Sequence, residues 1–539
     1  MRKKIFILTV LITIFPGVMF SQVTQEQKLM DANRIKTPFI NTSIFNQDIS
    51  SNNSPGFEWP KGNVNGAHLI FTTGLTITAN LNGTLLMAAS SYKGECQPGY
   101  ILNGVPMTDS RFHVYKIYWI DNGNTNPDYA NWGDMVPYGA PFTDINTNGI
   151  FDPGIDKPGV TGSQETIFIC MTDGFPGSHT ASEGFGGGTA PLMAEMHLTA
   201  WSYTSSGLED VNFIKWEIIN KSGSNWNGAI FSIVSDYDVG DAVDDWVGCD
   251  TSLEMSYGYN GDNDDGGGGP GTYGSNPPAV GISFLKTPKN NIGQEFGLTS
   301  FVRYGSSTVI TCEGFPNTPT DAYNYMKGLK RDGTQWLNPE HNPPTPTRYI
   351  FSGDPETSTG WTENKGVIRN CNGIFSDTIV SSNPGDRRIC MSTGDSLFSV
   401  GSNQAITIVA SQFAEHGSNY LNSVTKLKQL AGTVRNFWQT IGITPISSEV
   451  PIEFRLHQNY PNPFNPSTKI RFDVPGNKEF VKLIIYDISG REVAKLVNQE
   501  LAPGVYEYDF DGTNLSSGMY IYKLEAGNYS ETKKMVLIK

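Results

Sequence analysis

The sequence predicts a mainly β protein: a large sandwich-like region of strands carrying one helix, followed by a small all-β module at the C-terminus. Three observations point there. Apolar and polar residues alternate over strand length, as where Ile214, Trp216 and Ile218 flank Lys215 and Glu217. A single stretch, 423–438, carries its apolar residues at helical spacing. The last 86 residues break into short apolar runs separated by Pro-Gly, Ser-Gly and Asp-Gly pairs, the turn pattern of a small sandwich.

At 539 residues the chain is too long for one compact core, so several modules are expected. With 58 Gly and 32 Pro it is not a low-complexity chain. Its formal net charge of -15 disfavours nucleic acid as a partner, because phosphate binding needs Lys and Arg to displace counterions. Arg2, Lys3 and Lys4 precede an apolar run from Ile5 to Phe15, then Pro16, Gly17 and Ser21, the order of a secretory signal peptide. Removal of residues 1–21 is expected. The apolar run is shorter than the roughly 20 residues a membrane helix needs. No later stretch is long and apolar enough either, so the mature chain is expected to lack a transmembrane segment. No Cys stands at the cleavage site to take a lipid.

The mature region divides into an N-terminal β-rich part, 22–205, and a second one, 206–440, with the boundary placed at the loop-like Tyr203-Thr-Ser-Ser-Gly207. The second part contains the β-branched run Ala405 to Ala410 and ends in the helix. There Ser423 is the expected cap, and Val424, Leu427, Leu430, Ala431, Val434, Phe437 and Trp438 form the buried stripe. Residues 441–453, with two prolines and no amphipathic period, read as a linker. Six cysteines (Cys96, Cys170, Cys249, Cys312, Cys371 and Cys390) allow up to three disulfides in an exported chain. The alternative is that some are small buried hydrophobes.

The clearest chemical pattern is Asp144-Ile-Asn146-Thr-Asn148-Gly149-Ile150-Phe-Asp152-Pro-Gly-Ile-Asp156. Oxygen-bearing side chains at alternate positions, with a backbone carbonyl from Ile150, suit Ca²⁺, a hard ion that takes six to eight oxygens. Asp144, Asn146, Asn148, Ile150, Asp152 and Asp156 are therefore the candidate ligands. Position twelve is Ile155 rather than Glu, and Pro153 and Pro158 exclude the helix of an EF-hand. The competing account is a cluster of Asx-turns whose side chains bond their own backbone. Asp236, Asp238, Asp241, Asp244, Asp245 and Asp250 form a second acidic group, and Asp262, Asp264 and Asp265 a third, ahead of the loop-like run Gly266 to Gly269. Crowded carboxylates repel unless a cation or protons intervene, although solvated loops can also separate them.

Enzyme motifs are poorly placed. Gly394-Asp395-Ser396-Leu397 spells an esterase nucleophile block, but it lies late in the region and no Asp-x-x-His follows. The seven histidines form no His-Glu-x-x-His. A glycosidase acid pair stays open, since folding alone brings its two carboxylates together.

In the terminal module, Thr468 to Val474, Val481 to Tyr486, Val505 to Phe510, Met519 to Leu524 and Lys534 to Ile538 are the expected strands. From Ile452 onward there are 11 basic and 11 acidic residues, so the acidity of the chain sits in the larger region. The module resembles the type A C-terminal sorting domain of proteins exported by the type IX (Por) secretion system of Bacteroidetes-type bacteria. The resemblance rests on Asn459-Tyr-Pro-Asn462-Pro-Phe464-Asn-Pro466, Tyr486-Asp-Ile-Ser-Gly-Arg-Glu-Val493, Gly518-Met519-Tyr520 and Lys534-Met535-Val536. It implies an immunoglobulin-like β-sandwich over 454–539, read by the outer-membrane translocon, with Gly518, Met519, Tyr520, Lys534, Met535 and Val536 as the sorting signal. Secretion or display on the outer cell surface follows from it. Residues 22–440 are also similar to uncharacterised exported proteins with the same tail, through Gly56-Phe-Glu-Trp-Pro-Lys-Gly62 and Asp241-Ala-Val-Asp-Asp-Trp-Val-Gly-Cys-Asp250. The cargo is expected to be a non-catalytic structural, adhesive or binding β-protein for an extracellular glycan or protein. The alternative is a secreted hydrolase of polysaccharide or protein.

Overall fold

The computed structural model describes residues 25–146, 148–180, 184–305, 311–372, 374, 378–441, 443–447, 453–475, 479–501, 504–512 and 515–538. The expected signal peptide lies outside them, as do Thr147 and parts of the expected linker. The chain is mainly β, and every ladder in its principal sheets is antiparallel.

The first large sheet runs in the order Gln27–Met30, Thr37–Ile40, Ile44–Phe45, His68–Leu81, Trp226–Tyr237, Arg387–Gly394 and Ser300–Tyr304. The second runs Tyr115–Tyr118, Glu165–Thr172, Ala194–Ser202, Val211–Asn220, Ala405–Glu415, Ala279–Lys286, Met255–Asn260 and Asp245–Asp250. Their inner faces share one apolar core that joins Leu75, Ile77, Phe231 and Ile233 to Ile214, Trp216 and Ile218. Phe45 of the first sheet meets Trp216 of the second with ring centroids 6.1 Å apart. Asn46 spans the layers, donating from Nδ2 to Thr73 and to Gln412, each at 2.9 Å. Burial of this size, at about 25 cal/mol per Å² of apolar surface, is what offsets the entropy of ordering such long strands.

The division expected at 205/206 meets no break here. Ala194–Ser202 pairs directly with Val211–Asn220, and both sheets and their shared core draw strands from either side of it. The alternation in Val211–Asn220 accounts for its two buried faces: Ile214, Trp216 and Ile218 enter the core between the sheets, while Val211 and Phe213 face outward beneath the long helix.

That helix spans Tyr420–Ile441. Val424, Leu427, Ala431 and Val434 are buried against the second sheet, with Leu430, Phe437 and Trp438 packed at the margin, as the spacing predicts. The cap is Asn419 rather than Ser423: its side-chain oxygen accepts from the backbone N–H groups of Leu421 (3.0 Å) and Asn422 (2.9 Å). Ser423 sits inside the first turn and donates to the Pro277 carbonyl, just ahead of the strand Ala279–Lys286. Besides the four-residue helix Pro127–Ala130, a helix at Pro319–Met326 goes beyond the single one expected. It is too short to show a period, but Thr318 and Asp321 form a capping box at its start.

Of the six cysteines, Cys312 and Cys371 are joined, and Cys96, Cys170, Cys249 and Cys390 are buried thiols. The three bridges allowed by the count thus reduce to one, because the other four behave as small core residues. Burial pushes the Cys390 thiol up to about 12.

The tail forms two further sheets, Ile443–Ser447, Gly504–Asp511, Ser467–Val474 and Arg455–Leu456 in one, and Glu492–Leu501, Glu479–Asp487, Gly518–Ala526 and Tyr529–Leu537 in the other. Phe472 and Tyr506 of the first share a core with Ile485 and Tyr522 of the second. Residues 443–447, expected as linker, pair as a strand with Gly504–Asp511, and Pro445 is accommodated at a register shift.

Candidate functional site

The tail brings its sequence motifs together. Gly518–Ala526 and Tyr529–Leu537 are neighbours, with Gly518 opposite Leu537, Met519 opposite Val536 and Tyr520 opposite Met535. Alternation sorts these pairs by face. Tyr520 and Met535 are buried, while Met519 is 46% exposed and stands on the outer face with Val536 and the exposed Lys534. The free side of the last strand is covered by the proline-rich motif: Phe464 donates to the Val536 carbonyl at 2.9 Å, Ile538 donates to the Phe464 carbonyl at 2.9 Å, and Asn462 Oδ1 accepts from the Val536 N–H at 2.9 Å. Gln458 Nε2 adds a bond to the Lys534 carbonyl at 2.8 Å. Motifs more than 70 residues apart in sequence, at 462 and 536, therefore make one edge.

The expected calcium loop is closed at its base by a two-residue ladder, Phe142 with Pro158 and Thr143 with Lys157, and Phe142 packs edge-on to Phe151 at 5.3 Å. Within it, Asp152 Oδ2 accepts from Asn146 Nδ2 (2.7 Å) and Asn148 Nδ2 (2.6 Å). Asp144 accepts from the N–H groups of Asn148 (3.2 Å) and Gly149 (2.7 Å). Asp156 is buried and accepts from Ile145 (2.8 Å) and Asp152 (2.7 Å). Ile150 projects its side chain into solvent and donates its N–H to Asn148 Oδ1 at 2.7 Å. All five polar candidates thus belong to one network. The Asx-type bonds of the competing account are present.

The second acidic group is split. Asp250 stands apart, accepting from Ser252 and Leu253 and pairing with Lys428 Nζ at 3.3 Å. Asp241 and Asp245 are tied to backbone around Gly240: Asp245 accepts from Val239 at 2.9 Å, and the Asp241 N–H reaches Asp265 at 2.8 Å. Gly240 has φ +71°, and a Cβ there would collide with the Asp265 carboxylate, so the tight passage requires glycine. Asp244 is half-buried, its carboxyl raised by burial, and its carbonyl accepts from Gly261. Asp236 and Asp238 instead meet Asp386, with ligand-capable oxygens all within 4.8 Å of one another. Burial pushes the carboxyls of Asp236 and Asp238 upward, and Arg388 opposes the rise. Sequence reasoning missed Asp386 because it lies about 150 residues away in sequence and only strand pairing delivers it.

The Gly394–Leu397 block lines a cavity of about 230 Å³ together with Ile230, Thr299, Lys327 and Arg348. No histidine lines it among the described residues, so the Ser-His pairing that the block calls for is not formed there. His179 is held between Glu95 (3.3 Å) and Asp173 (3.6 Å), and His197 lies 3.1 Å from Glu195.

Residues 458–539 match the family described as secretion system C-terminal sorting domain. This is the type IX tail, and it marks the chain for the type IX machinery and for secretion or the cell surface. No curated protein matches the chain. Among solved structures, a polysaccharide lyase is similar over 64% of this chain and 34% of its own length, at 7% identity and a TM-score of 0.17. The chain spans only that part of the lyase, and a likeness of this size bears on neither fold nor activity. No helix of the described residues is long and apolar enough to cross a membrane.

Proposed function

We propose that this chain, exported through its type IX sorting domain, works outside the cell as a non-catalytic binding or adhesive β-protein whose Asp144–Asp156 loop is stiffened by Ca²⁺. The observation that supports the cargo reading is the joining of Asp144, Asn146, Asn148, Asp152 and Asp156 into one network on a loop clamped at its base. A double sheet with one shared core is a rigid support for such a loop, and loops on rigid supports are where binding residues concentrate. The partner in this reading is an extracellular glycan or protein, engaged by loops around the sheet ends.

The test uses the mature protein purified from the medium or cell surface. It is applied to glycan and protein arrays with and without Ca²⁺, and in parallel to polysaccharides and proteins with assay of released sugar and peptide. Reversible, calcium-dependent binding without release is the expected result. Release of sugar or peptide overturns it in favour of the secreted hydrolase.

A further inference from the structure

We propose that Asp236, Asp238 and Asp386 bind one divalent cation of the hard, oxygen-seeking class at the end of the first large sheet. The backbone assembles the three. Asp236 lies near the end of Trp226–Tyr237, directly opposite Arg388 in the ladder with Arg387–Gly394. Asp238 follows two residues later, just past the end of the strand. Asp386 immediately precedes the partner strand. Their oxygens come within 4.8 Å of one another, the spacing of ligands around one ion.

The two buried members carry oxygens with nothing to bind them. Asp236 is 3% exposed; its Oδ2 takes the Tyr92 hydroxyl and lies 3.4 Å from Arg388 Nη2, while its Oδ1 is buried without a donor. Asp238 is 9% exposed, and its Oδ1 is likewise buried without a donor. Leaving a buried carboxylate oxygen unsatisfied is costly, and native structures rarely do so. Arg388 is already engaged, donating to Asp386 at 2.6 Å and to the Tyr92 hydroxyl. Three carboxylates against one guanidinium leave two negative charges, which one divalent ion cancels. Asp386 is exposed, so the ion reaches the pair from solvent. An all-oxygen donor set excludes the soft metals and favours Ca²⁺, whose flexible coordination tolerates a site completed by water.

This site stands apart from the Asp144–Asp156 loop, and the experiment separates them. In full-length mature protein carrying Asp152→Ala, chelated and then titrated with CaCl₂ by calorimetry, one equivalent is expected to bind. Asp386→Asn, on an exposed side chain that threatens no core, should weaken that binding about tenfold or more. Asp238→Asn should abolish it and raise Tm in chelator, because a repelling charge is gone. With Tb³⁺ as the probe, Tyr92→Phe should dim the sensitised emission while leaving its midpoint nearly unchanged. Absence of Ca²⁺ uptake in the Asp152→Ala protein, or uptake unaltered by Asp386→Asn, overturns the proposal.

Discussion

Asn462 accepts a 2.9 Å hydrogen bond from the backbone N–H of Val536, fastening the proline-rich motif to the last strand of the tail. The strand at the sheet edge would otherwise offer unpaired groups to any neighbouring chain. Deleting residues 534–539 removes this edge and the exposed Lys534 together, and should leave the protein in the periplasm. Asn462→Ala, which forfeits about 1 kcal/mol of hydrogen bonding, should reduce surface delivery only in part. Fractionation of cells followed by blotting measures both, and full delivery of the deletion variant would refute the sorting role of these residues.

Trp216 is fully buried between the two large sheets and touches Phe45 across them. Trp216→Ala should lower the stability of the large body by about 3–5 kcal/mol. Urea unfolding followed by fluorescence and by circular dichroism should give coincident curves shifted to lower denaturant.

The Cys312–Cys371 bridge closes a sequence separation of 59 residues. By chain entropy its loss in Cys312→Ser with Cys371→Ser should cost about 4 kcal/mol. In the native protein the other four thiols should react with alkylating agents only after unfolding, since all are buried. Mass spectrometry of native and denatured samples tests this, and rapid native labelling of Cys249 or Cys390 would contradict it.

His179 and Asp173 set a pH dependence. Burial alone would lower His179, but its bond to Glu95 and the nearby Asp173 outweigh that and raise it above its ordinary value. Burial raises Asp173 to about 6. Both folded-state values are raised, so each contributes stability that is complete below the unfolded value and is lost as pH rises through the folded one. For Asp173 that window runs from about 4 to about 6, and for His179 it begins near 6.5 and extends upward. Tm should therefore fall from roughly pH 5 to roughly pH 8, and His179→Asn should flatten the upper part of that fall. A Tm in the parent protein that rises over this range would show that other groups dominate.

The Asp144–Asp156 loop should respond to Ca²⁺ locally. Asp152 accepts from both Asn146 and Asn148, so Asp152→Ala should abolish calcium-dependent protection of the loop from protease while leaving the pairing of Phe142 with Pro158. Limited proteolysis with calcium or chelator reads this directly. Equal cleavage of the parent protein in both conditions would favour self-contained Asx-turns.

Local pattern explains what was legible in the sequence. The alternation at Ile214, Trp216 and Ile218, the stripe from Val424 to Trp438 and the Ser489-Gly490 turn of the tail all depend on neighbours within a few residues, and each reappears in the fold. The tail strand Glu492–Leu501 escaped notice because polar residues interrupt its apolar positions. Asn419 was overlooked as a cap because Ser423 lies closer to the first apolar residue of the stripe. The pairing of His68–Leu81 with Trp226–Tyr237 across residue 205 and the meeting of Asp236 with Asp386 join segments more than a hundred residues apart, which no local period encodes.

The position of Ala405–Glu415 has a consequence for biogenesis. This strand lies between Val211–Asn220 and Ala279–Lys286, so the middle of the second sheet is filled by nearly the last segment of the large body to be synthesised. Earlier strands must wait with open edges until it arrives. The large body therefore completes its fold only when the sorting domain is next to emerge, which couples readiness of the cargo to the appearance of its own export tag.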